Sequence, residues 1–215
     1  MNLYAISGLG ADERVFQYLS LKAEIVPIKW LQPDRSEGID SYAKRMAQII
    51  DTSEPFGLIG VSFGGLICVE ICKFLMPEIT ILISTVEKSK ELPVLYRIIG
   101  RIKIIKLLPS KFFRIPKRVA HFLFGSINTK LLDDILFDSD PKFTKWALSR
   151  LLVWESNFKI PYVLKVGGLD DKLLPPKDSS NTTVIDSGGH FMIVDKADEI
   201  SQIINEKLRD LPHAN

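Results

Sequence analysis

Residues 60–65 read Gly-Val-Ser-Phe-Gly-Gly, and they part a short apolar run, Phe56-Gly57-Leu58-Ile59, from a longer one, Leu66 to Leu75. The first run suits a strand and the second a helix. A serine at the tip of so sharp a strand-to-helix turn takes up a strained backbone conformation, and neighbours without Cβ let strand and helix approach. The turn exposes Ser62 Oγ and aims the free N–H groups of the new helix at whatever binds there. A Gly-x-Ser-x-Gly pattern also arises in plain Gly/Ser loops. Its flanks here make Ser62 a candidate nucleophile for acyl transfer.

The rest of the chain alternates in the same way. Strand-like runs fall at Leu3 to Ile6, Glu24 to Ile28, Gly57 to Val61, Thr80 to Ser84, Tyr162 to Val166 and Thr183 to Ile185. They are mostly apolar throughout rather than alternating, which suits strands buried on both faces of a parallel sheet. Helices are expected over Asp12 to Leu19, Ile39 to Ile50, Phe63 to Leu75 and Met192 to about Leu211. The fold class is therefore α/β: a three-layer sandwich with a mostly parallel sheet of about six strands, its site at the C-terminal strand ends. A length of 215 residues suits one such core.

One stretch interrupts the alternation. Between Ser84 and Pro161 the chain reads as helical, far more than a crossover needs. We assign residues 1–85 and 161–215 to the core and 86–160 to a helical cap insertion. Asp140 can cap the last cap helix, Pro141 suits its first position, and Phe143, Ala147, Leu151 and Trp154 follow at helical steps.

A serine nucleophile needs a base, an acid to orient it and donors for an oxyanion. His190 lies in Gly188-Gly189-His190-Phe191, after the last strand and before the last helix. The other histidines are less well placed: His121 is in the cap, and His213 is close to the end of the chain. The acid is Asp170 or Asp171, both just after a strand. The chain order of Ser62, aspartate and His190 differs from that of chymotrypsin or subtilisin. Ser7-Gly8-Leu9-Gly10 follows the first strand and can present the Leu9 N–H beside that of Phe63 as an oxyanion hole. By itself the segment would read as an ordinary β-to-α turn.

Together these segments resemble the α/β-hydrolase superfamily along nearly the whole chain. The likeness rests on residues 7–10, on Gly60 to Gly65, on Gly-Leu-Asp-Asp-Lys-Leu-Leu-Pro at 168–175 and on residues 188–191. In that superfamily the acid often lies three residues after a Gly and four before a Pro, which selects Asp171. Within it, the chain is most similar to small lid-bearing bacterial esterases and thioesterases. Three departures stand out. The usual oxyanion His-Gly is Ser7-Gly8, the residue before the nucleophile is Val61 rather than His, and the two leading antiparallel strands are missing. The resemblance implies a serine hydrolase acting on an ester or thioester of a small or medium acyl substrate, with no metal or cofactor. The fold also serves C–C bond hydrolysis, perhydrolysis and non-hydrolytic ligand-binding or sensor roles.

Charge and composition add expectations about partners. From Lys88 to Arg118 ten basic residues stand against Glu91 alone, whereas the whole chain carries only +2. In the cap, Leu95, Ile98, Ile99, Ile102 and Ile105 can share one helix face and line an acyl pocket, with Arg97 and Arg101 on another. Three readings of the basic segment are open: a solvated charged face, a dock for an acidic leaving group such as a phosphorylated carrier, and a contact with an anionic membrane surface. Nucleic acid is not expected, since no recognition motif is present. No apolar run is long enough to span a membrane, the N-terminus lacks a signal-peptide pattern, and the two cysteines, Cys68 and Cys72, read as core residues. A cytoplasmic location is expected.

Overall fold

The computed structural model describes residues 1–34, 36–102, 104–177 and 181–211. Lys103 and His213 lie outside the described residues. Six strands form one sheet: β1 (Asn2–Ile6), β2 (Glu24–Pro27), β3 (Phe56–Val61), β4 (Ile79–Ile83), β5 (Val163–Gly168) and β6 (Thr183–Ile185). Their order is β2-β1-β3-β4-β5-β6 and every pairing is parallel. The central strands are mostly apolar, and both faces of the sheet are covered. On β1 and β3, Tyr4, Ile6 and Leu58 join one core, whereas Leu3, Ala5, Ile59 and Val61 join the other. The first core takes the apolar faces of α1 (Ile39–Met46) and α2 (Phe63–Ile71). The second takes those of α7 (Met192–Asp195) and α8 (Ala197–Arg209).

Between β4 and β5 the chain forms α3 (Val94–Ile102), α4 (Lys117–Phe124), α5 (Thr129–Asp138) and α6 (Pro141–Leu151), with short 3-10 turns among them. Asp140 caps α6 by accepting from the Lys142 N–H, and Pro141 opens the helix. The two ends of this insertion are tied to each other and to the sheet. Glu87 Oε1 accepts from the Ile160 N–H at 2.8 Å, and Ser89 N–H donates to Ser156 O at 2.9 Å. The buried Lys165 ammonium on β5 pairs with Glu91 at 2.9 Å. A buried ammonium needs such a partner, because leaving it unpaired carries a large desolvation cost.

Several helices differ from expectation. Residues 13–18 form a 3-10 helix rather than an α-helix, capped by the Asp12 carboxylate and ended by extended backbone at Leu19. The α1 segment closes in a 3-10 turn over Ala47–Ile49. The helix after Ser62 stops at Ile71, and turn bonds carry the chain on to Leu75. The last helix is broken at Lys196, where φ is −125°, and the Asp195 carboxylate accepts from the Ile127 and Asn128 N–H groups. Trp154 lies beyond α6, and its indole donates to Glu70 Oε1 at 2.8 Å. The apolar run of α3 does not form one buried face. Ile99 turns inward, whereas Leu95, Ile98 and Ile102 are exposed.

The packing of α2 against β1 tolerates no side chain at Gly64, where a Cβ would run into the Ile6 and Ser7 carbonyl oxygens. Gly64→Ala should therefore lose about 1–3 kcal/mol of stability, read as a lower urea midpoint. A midpoint unchanged from that of the parent would refute this account of the turn.

Candidate active site

The C-terminal strand ends bring the sequence-selected residues to one place. Ser62 follows β3 with φ 51° and ψ −120°, a strained conformation for a non-glycine residue. The surroundings hold it there. Its N–H donates to Ile83 O at 3.0 Å, and its carbonyl accepts from Thr85 Oγ1 at 2.6 Å and from the Gly65 N–H at 3.0 Å. A Cβ on Gly60 would stand 2.5 Å from Gly65 Cα, so the glycines let strand and helix close on each other.

His190 Nε2 lies 2.8 Å from Ser62 Oγ, and its Nδ1 lies 2.8 Å from Asp171 Oδ2. A carboxylate only accepts, so Nδ1 carries the proton and Nε2 is left free to accept from the serine hydroxyl. Asp171 is buried, and its other oxygen accepts from the Leu173 and Leu174 N–H groups at 2.9 and 2.8 Å. Those bonds hold the carboxylate in place for the imidazole. Asp170 is exposed, and its N–H donates to Gly188 O at 3.0 Å. Of the two aspartates, Asp171 is the one within hydrogen-bonding distance of His190. His121 is bonded instead to Asp133, at 2.8 Å within the insertion.

The loop after β1 stands against the serine. A Cβ on Gly8 would be 3.3 Å from Ser62 Cβ. Among the described residues the Leu9 and Phe63 N–H groups have no hydrogen-bond acceptor. Ser7, which stands where a histidine is usual, closes this loop: its hydroxyl donates to Ala11 O at 2.9 Å and accepts from Trp30 Nε1 at 3.0 Å.

Three supporting residues escape a reading of the sequence. Trp30 and Thr85 fix the loop and the turn just described, and neither sits in a motif. Phe124, at the end of α4, packs its ring edge to face against His190 with centroids 5.5 Å apart. Its carbonyl accepts from the Phe191 N–H at 3.1 Å, so the insertion touches the histidine loop directly.

A cavity of about 290 Å³ opens beside Ser62 and His190. Ile99, Ile105, Ile115 and Leu123 of the insertion line it together with Val61 and Leu9 of the core, and among the described residues no Asp, Glu, Lys or Arg lines it. A wider groove of about 750 Å³ lies at the opposite ends of the strands, around Asn2, Glu24 and Phe56, and reaches none of these groups. Among the described residues no cluster of His, Cys, Asp or Glu could hold a metal ion. The Cys68 and Cys72 thiols are buried, and burial pushes that of Cys72 up to about 11. They are core residues of α2 and its C-terminal turn, away from the site.

The fold is that of the α/β-hydrolases. Three solved structures illustrate the likeness. A thermophilic esterase from Thermogutta terrifontis is 13% identical with a TM-score of 0.73, and the match covers 98% of this chain and 90% of that one. A meta-cleavage product hydrolase from Pseudomonas fluorescens is 14% identical with a TM-score of 0.71, over 98% and 91% of the two chains. MenH from S. aureus is 17% identical with a TM-score of 0.66, over 98% and 94%. No protein-family model matches the sequence, and no curated protein matches it.

Trp30→Phe keeps most of the ring packing but removes the donor to Ser7 Oγ and Ala11 O. It should cost about 1 kcal/mol, seen as a lower melting temperature. An unshifted melting curve would show that the indole N–H does not secure the loop.

Proposed function

We propose that this protein is a serine hydrolase that cleaves a carboxylic ester or thioester through an acyl-enzyme. The observation that carries the reading is the unbroken chain of contacts from Asp171 through His190 to Ser62 Oγ, with the apolar cavity alongside. In this mechanism His190 Nε2 takes the hydroxyl proton as Ser62 Oγ attacks the carbonyl carbon. Asp171 stabilises the imidazolium and holds the tautomer. The Leu9 and Phe63 N–H groups receive the oxyanion. His190 then gives its proton to the leaving alcohol or thiol, and water attacks the acyl-enzyme with His190 again as base.

The cavity favours an uncharged acyl group. Burying a charge among these side chains without a partner would carry a large desolvation cost. Its volume of about 290 Å³ lies at the small end of ligand pockets, which suits a small or medium acyl chain. The fold's other activities use the same type of site, and a ligand-binding or sensor role would leave the intact triad unused.

Two experiments test the reading. A fluorophosphonate probe should label the protein, and p-nitrophenyl esters of rising acyl length should be turned over with an optimum at short or medium length. Both should vanish in Ser62→Ala. Hydrolysis by that variant at the parental rate would sink the assignment. Separately, Asp171→Asn should lower kcat by about 10³–10⁴, by loss of the productive tautomer, whereas Asp170→Asn should change it less than about threefold. Equal losses in the two variants would mean that the buried carboxylate does not orient His190.

A further inference from the structure

The insertion carries an outer surface that the site does not use. Its residues divide between the cavity and solvent at short intervals. Ile99 lines the cavity while Val94, Leu95, Ile98 and Ile102 face outward at helical spacing on α3. Ile105 points in and its neighbour Ile104 out. Leu123 points in, while Val119 and Phe122 on the same helix point out. The roof of the cavity is therefore apolar on both sides. Its outer residues protrude: relative exposure is 64% for Ile102, 83% for Leu107, 64% for Phe112 and 65% for Phe122. Soluble proteins rarely leave large apolar side chains clustered in water without a binding role.

Arg97, Arg101, Lys111, Arg114 and Arg118 are exposed among these residues. None of them forms an ion pair with a carboxylate among the described residues. Among the described side chains of this segment, Lys117 is neutralised by Asp133 at 2.9 Å. Protruding Ile, Leu and Phe side chains, interspersed along the chain with exposed Arg and Lys that lack a carboxylate partner, match the two layers of a lipid interface. The apolar groups enter the acyl boundary, and the cations meet the anionic headgroups. An acidic carrier protein would satisfy the cations, but it would leave side chains this prominent without a matching hydrophobic volume.

We propose that the outer face of residues 94–102 and 104–122 docks on an anionic lipid surface, with the roof of the cavity against the membrane. The docking itself does not depend on the hydrolase reading. If that reading also holds, the substrate is an acyl ester carried in or on that membrane.

The test is sedimentation of the full chain with phosphatidylcholine vesicles, with and without one third phosphatidylglycerol. Ser62→Ala should bind as the parent does, which separates docking from catalysis. Binding should require the anionic lipid and fall at least about tenfold between 0.1 M and 1 M salt, as the Debye length shrinks from about 10 Å to about 3 Å. The double variant Arg97→Glu, Arg101→Glu should weaken binding by about tenfold or more. Ile98→Ser with Ile102→Ser should also release the protein while keeping the circular dichroism spectrum and urea midpoint of the parent, which shows that the variant is folded. Binding indifferent to phosphatidylglycerol, or absent with the folded parent, would overturn the proposal. So would saturable, salt-sensitive binding of an acidic acyl carrier protein that the arginine variant abolishes while the vesicles bind nothing.

Discussion

The site depends first on how closely α2 can approach the sheet after the turn at Ser62. The turn costs backbone strain, and three features offset it. Gly60 and Gly65 remove the atoms that would keep strand and helix apart. Gly64 lets α2 rest against the end of β1. Thr85, at the end of β4, holds the Ser62 carbonyl. With the helix seated, its first N–H faces the same space as the loop after β1, because β1 and β3 are neighbours in the sheet. The loop after β1 and Ser62 are thus brought together by strand order, and Asp171 and His190 need only reach across from the ends of β5 and β6.

That reach is made by two loops that support each other. A Cβ on Gly168 would collide with the Gly188 carbonyl, so the acid loop and the histidine loop lie in contact. The Asp170 N–H then bonds to Gly188 O, and the Asp171 side chain turns inward to the imidazole. Adjacent aspartates therefore have opposite fates for a backbone reason. One contributes its N–H to the neighbouring loop at the surface, and the other contributes its carboxylate to the interior. The insertion closes the arrangement from above, through Phe124 on the His190 ring and Asp195 on the start of α5.

How much of this could be read from the sequence follows from the range of the forces involved. The strands were legible to within a residue or two, since burial on both faces leaves short runs of Ile, Leu and Val. Ser62, Asp171 and His190, which the fold brings into contact, could be singled out because each sits in a glycine-marked loop after a strand. Helix ends were read less well. The break at Lys196 coincides with the Asp195 carboxylate turning to the start of α5, a tertiary contact that leaves no local pattern. Trp30, Thr85 and Phe124 were invisible for the same reason: each acts on a segment far away in the chain. The apolar stripe of α3 was legible as apolar, but periodicity does not say whether a stripe meets protein or water. Gly100 resolves it, because α3 packs so closely on the Leu152 carbonyl that a Cβ there would collide, and this turns Leu95, Ile98 and Ile102 outward.

The insertion is held unevenly, and this bears on how the cavity is reached. Its two ends are fastened by Glu87, Glu91 and Lys165, and its α4–α5 turn by the histidine loop. Residues 94–115 lie between these anchors. Their backbone bonds outside the helices close local turns, such as Leu107 to Ile104 and Phe112 to Pro109, and inward packing of Ile99, Gly100 and Phe113 supplies most of the attachment. Separating apolar surfaces in water is costly, but the cost falls when the exposed groups are received by another apolar phase. The same stretch carries exposed Ile, Leu and Phe on its outer side. An apolar environment on that side would therefore receive those side chains without disturbing the contacts that align His190 with Ser62.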